Sequence, residues 1–120
     1  MTVVTVFRSR LRDGVDVAYG VVAARMSELV HAMDGFVDEK FFSAPDGERV
    51  TIVRFRDAAS QRAWARHPEH LAAQERGRRE FYATYDITVG EASYERTFDR
   101  DDLASSKGES VVEPAVNRGV

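Results

Sequence analysis

The side chains most able to do chemistry cluster in Ala63-Trp64-Ala65-Arg66-His67-Pro68-Glu69-His70 and in the helical turns that follow. His70 is the first candidate for a general base, because an imidazole with an ordinary pKa of about 6.5 can take a proton from an acidic phenol or an activated carbon at neutral pH. The plainer alternative is a helix-start histidine bonded to nearby backbone. Spacings of three and four put His70, Gln74, Gly77, Arg78 and Phe81 on one side of a helix. Arg78, or Arg8, could stabilise a developing oxyanion, although arginines so placed commonly serve in ion pairs. Gly77 costs a helix ~1 kcal/mol relative to alanine, and it is kept either to leave room for a ligand or for close helix–sheet packing. Trp64, Phe7, Phe55 and Tyr82 could form the flat aromatic walls of a pocket, and core packing explains them equally well. His67 and His70 around Glu69 supply two metal ligands at i, i+3 with no third evident, so no metal is expected. The chain has no cysteine. Thiolate nucleophiles, disulfides, iron–sulfur clusters and cysteine zinc sites are therefore out of reach.

The elements that must position these groups are legible from periodicity. Residues 3–11, rich in β-branched and aromatic types, predict a strand with Val3, Phe7 and Leu11 on one face and Val4 and Val6 on the other. Asp13-Gly14 marks a turn and Asp16 is the expected N-cap of a helix. Its stripe is Tyr19, Val22, Ala23, Met26, Leu29, Val30 and Met33, the spacing of an amphipathic helix on a sheet. Asp34-Gly35 stops it. Strands are expected at 36–43 and 49–56 around the Pro45-Asp46-Gly47 turn, with Val50 and Ile52 on one face and Val53 and Phe55 on the other. A short helix follows over 57–66, then a helix from Pro68 to about Tyr82, and a last strand over 84–98.

This β-α-β-β-α-β order predicts an α+β, ferredoxin-like domain with an antiparallel sheet over residues 1–98. Residues 99–120, where charge and serine rise, read as a flexible tail, or as a segment whose Val111-Val112 docks on a partner. Two helices cover one face of such a sheet, yet the first and third strands are apolar on both. A second copy of the chain is the expected cover, which makes a homodimer.

Charge narrows the partners. With 120 residues, 31% charged residues and a net charge of -3, the chain offers no basic face for nucleic acid, and Arg76-Gly77-Arg78-Arg79-Glu80 reads as a solvated helix face. No segment reaches the ~20 apolar residues of a membrane helix, and the first residues run straight into a strand without a charged leader. The cytoplasm is the expected location.

The Val3–Leu11 strand, Met33-Asp34-Gly35-Phe36, the Trp64-x-x-His67-Pro68-Glu69-His70 run and Phe81-Tyr82 together resemble the antibiotic-biosynthesis monooxygenase family, over about residues 3–98. The resemblance implies a dimeric α+β barrel fold that hosts several chemistries. The family's cofactor-free oxygenases turn phenolic intermediates into quinones; their Asn, Trp and Tyr fall on Thr51, Phe55 and Gln61 here. In its haem degraders an Asn, a Trp and an iron-ligating His fall on Phe7, Trp64 and Gln74. Only the tryptophan matches, and glutamine substitutes poorly for an imidazole ligand, with His70 one turn earlier as the alternative. The expectation is a cofactor-independent monooxygenase joining a small aromatic or polyketide-like molecule with dioxygen. A haem-binding protein and a non-catalytic accessory dimer are the alternatives.

Overall fold

The computed structural model describes residues 1–105 of the chain. The elements run β1 Val3–Leu11, α1 Asp16–His31, β2 Phe36–Ser43, β3 Arg49–Phe55, α2 Ala58–Ala65, α3 Pro68–Arg76, a π-helical turn Gly77–Phe81, β4 Tyr82–Glu91 and α4 Arg100–Ser105. The strands form one antiparallel sheet in the order β2-β3-β1-β4. This is the expected ferredoxin-like arrangement.

Alternation along the strands sorts the sheet into two faces. On β1, Val3, Thr5 and Ser9 are buried, and they pair with Phe55, Val53 and Arg49 on β3. That face lies under the helices. The core at its lower end is Val30 of α1, Phe55 of β3 and Trp64 of α2, with Met26, Leu29, Met33, Phe36 and Val53 packed around them. The opposite face carries Val4 and Val6 beside Ile52 and Val50, with Phe42 at its edge 45% exposed.

Several boundaries differ from the sequence expectation. Val15, not Asp16, occupies the N-cap of α1 and makes no side-chain cap bond; Asp16 is the first helical residue, where its charge complements the helix dipole. The helix after Pro68 ends at Arg76 and widens into the π turn. The last strand begins two residues early and stops at Glu91, because its partner β1 ends there: Val3 pairs with Glu91, and Ala92 N–H donates to the Thr2 carbonyl as the final link. Strand structure does not extend to residue 98. A short helix occupies 100–105, and Val111-Val112 lies outside the described residues.

Two local devices fix the helix layer. Asp57 caps α2, its carboxylate accepting from the Ser60 N–H at 2.8 Å, which with Arg56 beside it lowers its pKa to about 2. Gly35 takes φ +85° directly against Ser60, whose Cβ would lie 2.5 Å from any Cβ placed on the glycine. Any other residue would be strained by its backbone and crowded by the helix. Among the described residues no helix is long and apolar enough to cross a membrane.

Candidate active site

Between the helices and the inner face of the sheet lies a cavity of about 270 Å³. Thr5, Phe7, Glu39, Thr51, Val53, Phe55, Tyr85 and Ile87 form its floor. Its roof comes from α1 through Tyr19, Val22, Ala23, Met26 and Val30, from α2 through Gln61, Trp64 and Ala65, and from α3 and the π turn. All eight residues singled out from sequence line it: Phe7, Phe55, Trp64, His70, Gln74, Arg78, Phe81 and Tyr82.

Pro68 starts α3 right after His67, whose ring nitrogen accepts from the Glu69 N–H at 3.1 Å. That cap aims His70 back over α2. Its ring stacks on Trp64 with centroids 4.1 Å apart and planes 13° from parallel. Nδ1 lies 2.9 Å from the Trp64 carbonyl oxygen, an acceptor only, so Nδ1 carries the proton and Nε2 the lone pair. Gln74, one turn on, holds its amide nitrogen 3.4 Å from Nε2. Burial pushes the His70 pKa below the ordinary histidine value, outweighing the contribution of the Trp64 carbonyl. The sequence left open whether this histidine bonds to backbone or serves as a base. The geometry contains the backbone bond, and that bond on Nδ1 sets the tautomer whose lone pair lies on Nε2, beside the Gln74 amide.

The upper wall is an aromatic cluster. Phe7 meets Tyr82 edge-on at 5.5 Å, Tyr82 meets Tyr85 at 5.4 Å, and Tyr19 meets both Phe81 and Tyr82 at 5.6 and 5.7 Å. Burial, then the neighbouring Tyr19 hydroxyl, raises the Tyr82 pKa well above the usual phenol range, so Tyr82 remains a protonated donor. Gly77 is buried directly beneath this ring, and a Cβ there would sit 2.9 Å from Tyr82 Cδ2. Of the two readings of Gly77, close packing is the one the structure contains. Arg78 borders the cavity but is largely exposed.

Sequence reasoning missed Thr5, Tyr19 as a wall residue, and Glu39. Thr5 is 9% exposed, and its hydroxyl has no partner among the described residues. Glu39 was hidden by a bulge. Phe36 packs inward on Phe55, so simple alternation would turn Asp38 and Lys40 inward as well; the register slips between Phe36 and Asp38, leaving Val37 unpaired and Glu39 on the cavity side. Nothing in residues 36–43 signals that bulge.

A four-stranded antiparallel sheet roofed on one face by helices, with an aromatic-walled pocket between the layers, defines a ferredoxin-like α+β protein. The chain belongs to the antibiotic biosynthesis monooxygenase family, whose model matches residues 2–76. It is 30% identical over 90 residues to the uncharacterized protein YqjZ of Bacillus subtilis, covering 75% of this chain and 79% of that one. Among solved structures it is similar to Rv0793 from Mycobacterium tuberculosis, with a TM-score of 0.72 and 19% identity over 81% of this chain and all (100%) of that one. It is also similar to SnoaB, a cofactor-independent oxygenase from Streptomyces nogalater, with a TM-score of 0.66 and 21% identity over 78% of this chain and 95% of that one. At these identities the structural likenesses establish the fold.

Proposed function

We propose that the protein is a cofactor-independent monooxygenase of a small aromatic or polyketide-like molecule, working as a homodimer in the cytoplasm. The observation that carries this reading is His70: a neutral imidazole, its lone pair on Nε2, set in an aromatic-walled cavity of substrate size. Family membership and the likeness to a cofactor-independent oxygenase support it.

His70 removes the acidic proton of the bound substrate, and the resulting anion passes one electron to dioxygen. The two radicals combine to a peroxide, which loses water and leaves a carbonyl on the ring. One oxygen atom of dioxygen enters the product and the other departs as water, so no external reductant is needed. Trp64, Phe7, Phe55, Phe81 and Tyr82 hold the ring flat and keep bulk water out, while Gln74 and Arg78 offer donors to the developing oxyanion.

Haem fits these residues poorly. By the family resemblance, Gln74 stands where the haem degraders carry their iron ligand, and an amide substitutes poorly for an imidazole. The test is oxygen uptake with a panel of phenols, anthrones and hydroxynaphthalenes, comparing the native chain with His70→Ala. Loss of the base should lower kcat/KM by on the order of a hundredfold with the fold intact. Because burial lowers the His70 pKa, the neutral base persists below the ordinary value of 6.5, and the acid limb of kcat/KM against pH should lie below that value. Unchanged turnover in His70→Ala removes the assigned base; no turnover of any compound by the native chain points to the accessory-dimer reading.

A further inference from the structure

Glu39 is the one carboxylate among the cavity-lining residues, and the oxygenase chemistry above makes no use of it. It enters from the sheet, whereas His70 enters from the helix layer. The Ser27 hydroxyl donates to its Oε1 at 2.6 Å, and His31 Nδ1 lies 3.8 Å from the same oxygen. His31 Nδ1 spends its hydrogen bond on the Ser27 carbonyl at 2.7 Å, so the Ser27 hydroxyl engages Oε1 and no hydrogen bond among the described residues engages Oε2. The side chain is 22% exposed, so a donor reaching it from the cavity would bond in a poorly hydrated place.

A second observation lies in the same row of the sheet. Glu39 pairs with Val53, and Val53 with Thr5, so both polar residues flank the floor on the cavity side. Thr5 keeps a hydroxyl with no partner at 9% exposure, although it sits in the wall of a cavity. A buried hydroxyl without a partner is a cost that a bound polar ligand can relieve.

We propose that Glu39 is a specificity-determining residue that accepts a hydrogen bond from a second hydroxyl of the substrate, so that the cavity selects dihydroxylated arenes over their monohydroxylated or O-methylated counterparts. This inference rests on the small-aromatic reading of the cavity and adds its substrate class. One hydroxyl faces His70 Nε2 from the sheet side of the ligand, and the other donates to Glu39 Oε2. A carboxylate in this place disfavours a ring ether or carbonyl, which brings only acceptors. An ammonium is the less suitable donor, because it would enter an apolar slot that already has Arg78 at its border.

The test uses the full chain and the fluorescence of its single tryptophan, Trp64, which lines the cavity. A naphthalenediol, its monomethyl ether and the parent naphthol are titrated against the native protein, Glu39→Leu, Glu39→Gln and Ser27→Ala. The native chain should prefer the diol to its methyl ether by at least about tenfold, the value of one hydrogen bond to a charged acceptor. Glu39→Leu should erase that preference while still binding naphthol, and Glu39→Gln should reduce it. Ser27→Ala breaks the helix–sheet tie but spares the acceptor, so it should keep the preference. An equal preference in Glu39→Leu, or none in the native chain, overturns the proposal while leaving the aromatic pocket in place. Failure of every naphthalene to quench Trp64 overturns both.

Discussion

Gly77 offers a test in which the sign of the effect carries the information. Its φ of -58° is ordinary helix, so alanine there is unstrained by backbone, and helix propensity alone predicts a gain of ~1 kcal/mol. The packing predicts the opposite. A Cβ on residue 77 would stand 2.9 Å from Cδ2 and 3.3 Å from Cζ of Tyr82, and closer still to Cε2, against the ~3.5–4.0 Å of an ordinary carbon contact. The ring cannot swing away freely, because Phe7, Tyr19 and Tyr85 hold its other sides at 5.5, 5.7 and 5.4 Å. Overpacking of this kind costs ~1–3 kcal/mol, which offsets or exceeds the propensity gain. Gly20 supplies the control: it lies inside α1 with nothing within 4 Å of a built Cβ, so Gly20→Ala should stabilise by ~0.5–1 kcal/mol. The two variants should therefore differ by ~1–3 kcal/mol, or about 4–15 °C in Tm for a domain of this size. Thermal melting followed by far-ultraviolet circular dichroism measures that gap, and near-ultraviolet bands of the tyrosines report the displaced ring. If Gly77→Ala melts at or above Gly20→Ala, the claim that Tyr82 fills the space over residue 77 is wrong.

The outer face of the sheet and the cap of α2 lead to two further expectations. Ile52, flanked by Val6 and Lys40, sits at the centre of the apolar stripe on the face away from α1, α2 and α3; in Ile52→Arg the proposed dimer should run as a monomer on size exclusion, and a native chain that is already monomeric defeats the dimer reading. Asp57 has its pKa lowered from 3.8 to about 2. Its contribution is whole above the unfolded value and disappears as pH falls through the folded one, so denaturant midpoints should drop between about pH 4 and pH 2, and less steeply in Asp57→Asn. An identical acid slope in that variant would show that the cap titrates no differently in the folded chain.

The parts of this molecule that follow a simple period were open to reading from residues alone. The three- and four-residue stripe from Tyr19 to Met33 is α1, and the two-sided apolar character of Val3–Leu11 and Arg49–Phe55 marks the two central strands. The eight residues chosen from the Trp64–Tyr82 region and the central strands meet around one cavity because those elements are neighbours in the ferredoxin-like order. What escaped was wherever the period breaks. One unpaired residue at Val37 puts Glu39, rather than Asp38 or Lys40, on the cavity side, and a shift between Arg10 and Leu11 lets β4 begin at Tyr82. Strand length was also out of reach for residues 92–98, because only the end of β1 tells β4 where to stop. Thr5 escaped for a different reason: a lone threonine among valines looks like β-propensity until its hydroxyl proves to have no partner.

The π-helical turn at Gly77–Phe81 has a bearing on how such a protein changes over time. A turn of this kind holds one residue more than an α-helical turn spanning the same rise, so it behaves as a removable unit. Deleting a single residue there would close it to an α-helical turn of the same rise, keeping α3 and β4 in place while the residues inside the turn change the way they face. The positions of Arg78 and Phe81 would then offer the cavity different side chains while the sheet beneath kept its order. The bulge at Val37 gives the floor the same property from the other side. A scaffold with one such adjustable residue in each layer can exchange the chemistry lining its pocket through single insertions or deletions, without passing through an unfolded intermediate in sequence space.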